Sequence, residues 1–322
     1  MDIFGSILNQ MIFLFAFIAI GFILSKWKFV PDNAAKTISK LENIIFVPAL
    51  VMSTFIENCT IEVLSSAWKL LVLGFAMVFL LIPISFLLAK FCFKENYLQK
   101  IATYGLAFSN FGFMGNAIMK AVFPEIFFEY TVFTLPFWFM IYLWGAPVLL
   151  ISGSNSGEKV KFSQRIKSFL NPMMIAMFIG LILGLTGLGK VLPTGILSVI
   201  EVSGECMSPL AMLLTGITIG QCDVLALLKK WRIYLTTAIK LVVYPLIFLF
   251  ILFLLPQNDF FTATFFKCAA CVAAMPMGLN TIVIPAAYGK DTSDAAGLAL
   301  ISHLFSVGTI PLTFLILQTW IL

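Results

Sequence analysis

The sequence predicts an all-α membrane protein: ten transmembrane helices arranged as two inverted five-helix repeats, with helices four and nine broken. Three observations lead there. The 322 residues are 61% hydrophobic and only 11% charged, with a mean hydropathy of +1.05. Apolar runs recur from end to end, a composition outside that of soluble domains. Two of those runs are interrupted in matching places by Gly, Asn and Pro: FSNFGFMGN, Phe108–Asn116, and AMPMGLNTIVIP, Ala274–Pro285. Finally, the basic residues fall mostly on alternate loops.

At about 20 residues per crossing, the spans in order are 6–26, 36–56, 67–90, 99–121, 127–151, 168–187, 196–219, 232–254, 264–287 and 295–321. The first is apolar from Ile7 to Leu24 and closes on Lys26, Trp27 and Lys28, an interfacial anchor. That run is too long for the apolar region of a signal peptide. Spans two, three and five carry Pro48, Pro83 and Pro147. Spans seven, eight and ten carry Pro209, Pro245 and Pro311, at offsets of 161, 162 and 164 residues. VPALVM (Val47–Met52) also parallels SPLAML (Ser208–Leu213). Near-constant offsets and paired interruptions point to an internal repeat. The chain thus divides into a first repeat over 1–151, a polar cytoplasmic linker over 152–167 and a second repeat over 168–322.

Fifteen of the 20 lysines and arginines lie in loops joining odd to even spans. Lys69, Lys120, Lys190 and Lys267 lie in the others, and Lys240 lies inside a span. This bias puts the odd-to-even loops in the cytoplasm and both termini outside. Five spans per half is odd, so the second half enters the membrane upside down. The net charge of +5 therefore orients the chain in its bilayer, and no nucleic-acid partner is expected. Cys268-x-x-Cys271 lies in an apolar span, where helical spacing of small residues explains it better than redox chemistry. One histidine, no intramembrane aspartate pair and no H-E-x-x-H argue against an enzyme, and no Walker A motif argues against an ATP-driven pump. No metal or cofactor is expected.

The interrupted spans are the candidate site. Lipid offers no hydrogen-bond partners, so broken backbone at that depth survives only inside protein or beside a water-filled cavity. A broken helix leaves free N–H groups at one half-helix start and free carbonyls at the other half's end, and the starts favour anions. Asn110, Asn116, Asn280 and Thr281 can bond both to these groups and to a carboxylate. Gly112, Gly115 and Gly278 permit unusual backbone and close approach, and Pro276 keeps span nine from being continuous. Asn43, ahead of Pro48, can reach substrate from span two.

Three ionisable residues stand out inside spans. Lys240 lies about 13 Å into span eight; it either snorkels to the cytoplasm or compensates carbonyl ends in place of a sodium ion. Glu205, one turn after Glu201 in span seven, is either protonatable or bonded beside Pro209. His303 is either a coupling group or a packed structural residue. Trp138, Tyr142 and Trp144 either line a cavity or anchor an interface.

With SNFGFMGN (Ser109–Asn116), MPMGLNTIVIPAAYG (Met275–Gly289) and the Pro48 and Pro209 helices in this order, the chain resembles the auxin efflux carrier family over essentially its whole length. The resemblance implies a fold similar to the bile-acid sodium symporters: a panel from spans 1, 2, 6 and 7, and a mobile core from the rest, in which spans four and nine cross. It also implies a homodimer in the plasma membrane, moving small organic anions, such as malate, malonate or auxin-like acids, by elevator-type alternating access. A sodium-coupled symporter of the same fold, a channel and an intramembrane enzyme are the alternatives. Sodium-coupled relatives carry a glutamate at the second crossover, whereas 274–287 here holds no acidic residue.

Overall fold

A computed structural model describes residues 3–151, 170–287, 290 and 292–321. The regular elements among them are helical, with no strand. In chain order they are α1 (Ile3–Lys26), α2 (Ala34–Asn58), α3 (Ile61–Cys92), α4 (Asn96–Ala107), α5 (Asn116–Val122), α6 (Pro124–Ile151), α7 (Pro172–Thr186), α8 (Thr194–Gln221), α9 (Val224–Leu228), α10 (Trp231–Leu254), α11 (Ala263–Ala274), α12 (Asn280–Ala287) and α13 (Ser293–Trp320). The linker expected over 152–167 lies outside the described residues.

Prolines shape these helices. A proline has no N–H to give the carbonyl one turn upstream, so the ladder loosens there. A π-turn at Glu42–Phe46 precedes Pro48 in α2, and another at Ile239–Val243 precedes Pro245 in α10. Pro147 sits within the π-helical end of α6, Ile141–Ile151, and α8 is interrupted at Cys206, just ahead of Pro209. Pro83 and Pro311 are accommodated inside α3 and α13.

Among the described residues, seven helices are long and apolar enough to cross a membrane: α1, α2, the Ala67–Cys92 part of α3, α6, α8, α10 and α13. The difference from ten full spans has local causes. Spans four and nine are each split, leaving α4 and α5, and α11 and α12, as short pieces. Helix α7 has 15 residues and begins at Pro172, where Asn171 caps it through Oδ1 to the N–H groups of Met173 and Met174.

Packing follows the small residues. Helix α1 lies along α8, where Gly21 and Gly216 face the partner backbone so closely that any Cβ would strike a carbonyl oxygen, of Leu213 and Ile18 respectively. Helix α2 packs on α7 and on the first half of α8; α3 packs on α4 and α6; α11 packs on α10 and α13. Exposed Ile12, Phe79, Ile182, Phe250 and Leu312 give these helices apolar outer faces, the surface a multi-pass protein presents to lipid.

Candidate functional site

The two interrupted stretches meet. Helix α4 stops at Ala107 because Phe108 is extended (φ −114°, ψ 91°). Helix α11 stops at Ala274 because Met275 is extended (φ −65°, ψ 145°), the conformation favoured before a proline, here Pro276. Ser109 and Met277 then pair as an antiparallel bridge. The Asn110 N–H donates to the Pro276 carbonyl at 2.9 Å, and Ser109 Oγ donates to the Val272 carbonyl at 2.7 Å. Gly278 lies so close to the Phe108 carbonyl oxygen that no side chain fits.

Beyond the bridge both chains resume as helices. Phe111–Gly115 forms a π-turn leading into α5, and the Asn110 carbonyl accepts from the N–H groups of Met114 at 3.1 Å and Gly115 at 3.0 Å. Asn280 opens α12, and Thr281 turns back on the Gly278 carbonyl through Oγ1 at 2.8 Å and its N–H at 3.1 Å. Two half-helix starts and two half-helix ends are thus gathered at one buried point, with opposite partial charges.

Asn110 is the centre of this point. It is 1% exposed, and its Nδ2 lies 2.9 Å from His303 Nε2. His303 Nδ1 lies 2.7 Å from the Ala299 carbonyl. A carbonyl only accepts, so Nδ1 carries the proton and Nε2 accepts from the asparagine. The ring is therefore a neutral imidazole that fixes the amide, and Asn110 Oδ1 is left buried without a partner among the described residues. The open valence at this point is an acceptor.

The other sequence candidates divide by position. Gly112 faces the Trp138 ring, where an added Cβ would meet Cζ2 at 2.5 Å, and Gly115 faces the Tyr130 hydroxyl, which donates to the Phe111 carbonyl at 3.0 Å. Both are packing positions for aromatic side chains of α6. Trp138 stacks on Tyr142 at 6.2 Å. Asn43 gives its amide to the Ser39 carbonyl on its own helix at 2.8 Å. Lys240 is 1% exposed; its ammonium lies 5.1 Å from the Tyr244 ring centre, with no hydrogen bond or ion pair among the described residues.

Asn116 and Glu205 come together. Both line a cavity of about 240 Å³ with Leu50, Lys120, Ser208 and Pro209. Lys120 pairs with Glu205 at 3.2 Å, each side chain about half exposed (49% and 55%), so the pair adds little stability. Larger hollows exist at Phe123–Lys267–Phe314 and at Glu57–Lys190, but no residue of either broken stretch lines them. A smaller void shares Leu50 and Asn116 and is lined by Thr54, Thr131 and Trp138.

Sequence reasoning missed two serines. Ser208 Oγ donates to the Phe113 carbonyl at 2.6 Å, and Ser39 Oγ donates to the Val283 carbonyl. Each ties a helix of the α1–α2–α7–α8 group to the second half of one broken stretch. Ser208 stands beside Pro209, which was the available signal; Ser39 had none. Glu42, 0% exposed, was also missed.

A family model described as membrane transport protein matches residues 6–314. No curated protein matches the chain.

Proposed function

Because the chain belongs to the membrane transport protein family that includes the auxin efflux carriers, we propose that it is a secondary transporter of small organic anions, the carboxylates being the foremost class. The observation that carries this reading is the Asn110–Pro276 junction: two interrupted helices meet at a buried point, and Asn116, at the end of the first interrupted stretch, lines a cavity. Broken helices in matching halves are the usual construction of a carrier site. Lys120 and Asn116 supply a cation and an amide donor on the cavity wall for a carboxylate, while Asn110 Oδ1 suits a hydroxyl, an indole N–H or a protonated acid.

In this reading α1, α2, α7 and α8 form the stationary panel, and the remaining helices carry the site past it by an elevator-type motion. The Ser208–Phe113 and Ser39–Val283 hydrogen bonds are contacts that such motion exchanges. Two inverted repeats, a homodimer joined through the panels, a plasma-membrane location and extracytoplasmic termini belong to the same proposal. The lack of an acidic residue in 274–287 favours drive by protons or membrane potential over sodium.

The test is thermal unfolding of the purified chain in detergent with malate, malonate, other mono- and dicarboxylates, indole-3-acetate and sodium chloride. A bound ligand at a hundred times its Kd stabilises by about 2.7 kcal/mol. One carboxylate class should raise the midpoint of the wild type and leave Asn110→Ala unmoved. No shift by any anion, or equal shifts in both proteins, contradicts the proposal.

A further inference from the structure

Glu42 lies in the stretch ISKLENIIFVPAL, Ile38–Leu50, and opens the π-turn that Pro48 forces on α2. Its side chain is 0% exposed, and neither carboxyl oxygen has a hydrogen-bond partner among the described residues. One turn earlier on the same helix face, Ser39 donates to the Val283 carbonyl of α12. The π-turn that holds the carboxyl packs on α7, α8 and α12, so Glu42 is enclosed one turn from the Ser39–Val283 contact between proposed panel and proposed core.

The charged groups on the elements packed there do not compensate it. On α2 itself, Lys36 and Lys40 are exposed, and Glu57 is exposed at the far end. Helix α8 brings exposed Glu201, Glu205 already paired with Lys120, and half-buried Cys206. Helices α7 and α12 carry no titratable side chain. No ion pair reaches Glu42 among the described residues. An ionised carboxylate so enclosed is heavily penalised, whereas a neutral acid is tolerated.

We propose that Glu42 is the proton-carrying residue of this chain, protonated while α2 and α12 are in contact and deprotonated when that contact opens to water. The proposal rests on the carrier reading above and adds its driving ion and the residue that holds it. The step is balanced: the carboxyl O–H bond breaks, its electron pair stays on the carboxylate, and the proton passes to water. Recharging takes a proton from the other side. Because α12 cannot slide past an ionised Glu42 across the dry contact, each core movement that carries a substrate anion is accompanied by one proton passing through Glu42, which offsets one of the anion's charges.

The experiment uses the full chain in sodium-free proteoliposomes with an entrapped pH dye, and malate, malonate and indole-3-acetate as probes. In the wild type a pH gradient should accelerate uptake of the transported probe several-fold, with proton entry alongside. Glu42→Gln, fixed neutral, should still exchange probe for probe but lose both the acceleration and the proton signal. Wild-type exchange indifferent to the gradient, or a Glu42→Gln variant as responsive as the wild type, overturns the proposal and leaves the carrier standing. Absence of exchange with every probe overturns the carrier instead. Glu42 is then judged by infrared spectroscopy of the purified chain. A neutral carboxylic-acid carbonyl band should be present in the wild type at neutral pH, shifted in Glu42→Asp and missing in Glu42→Gln. A wild type without that band overturns the proposal whether or not the variants fold.

Discussion

Asn110 and His303 hold each other, so the cost of parting them is legible. Asn110→Ala leaves His303 Nε2 buried without its donor, which should cost about 1–3 kcal/mol, read as a lower unfolding midpoint without loss of helix content. An unchanged midpoint would mean that the amide is not held by the ring. Lys240 behaves in the opposite sense. Among the described residues its ammonium meets the Tyr244 ring, 5.1 Å away, and no ion-pair partner, and replacing such a buried cation by an apolar side chain of similar shape removes a desolvation cost. Lys240→Met should therefore keep or raise the unfolding midpoint. A loss on the order of 3 kcal/mol, the size seen when a buried pair is broken, would instead reveal an anionic or carbonyl partner. These roles were only half visible in the sequence. Asn110 declared itself as a polar residue in an otherwise mostly apolar span, but His303 binds it from 193 residues away. Ser39 and Glu42 gave no signal, because the partner of Ser39 lies 244 residues along the chain and the burial of Glu42 depends on the distant helices packed around its turn.

At the scale of helices, the breaks were legible because they are local. Gly, Asn and Pro act on the backbone where they stand, and the ladder fails at Phe108 and at Met275. The π-turns in α2 and α10 follow from Pro48 and Pro245 by the same rule. The meeting of the two stretches depends on Gly278, whose missing side chain admits the Phe108 carbonyl. Gly278→Ala should push the stretches apart, break the Asn110–Pro276 hydrogen bond and abolish ligand-induced thermal shift, with circular dichroism unchanged. Retained binding would show that the close approach is incidental. Gly195, by contrast, has open space around it, and Gly195→Ala should leave binding untouched, which makes it the control.

At the scale of the molecule, composition alone pointed to a multi-pass membrane protein, and seven helices among the described residues are long and apolar enough to cross. Spans four and nine, expected to be broken, fold as short pieces, and span six is the 15-residue α7; hydrophobicity measures how much chain is apolar, not whether it is one long helix. The grouping of α1 with α8, and of α2 with α7 and α8, arose from contacts between distant parts of the chain, which composition does not encode. The central claim is that this frame moves substrate. The most direct measurement is counterflow in sodium-free proteoliposomes: vesicles loaded with unlabelled carboxylate and diluted into a trace of the labelled one, for wild type and Asn110→Ala at matched incorporation. A carrier built on the broken helices should give saturable, transient overshoot of label in the wild type and none in the variant. Non-saturable entry without overshoot, or equal overshoot in both proteins, would contradict it.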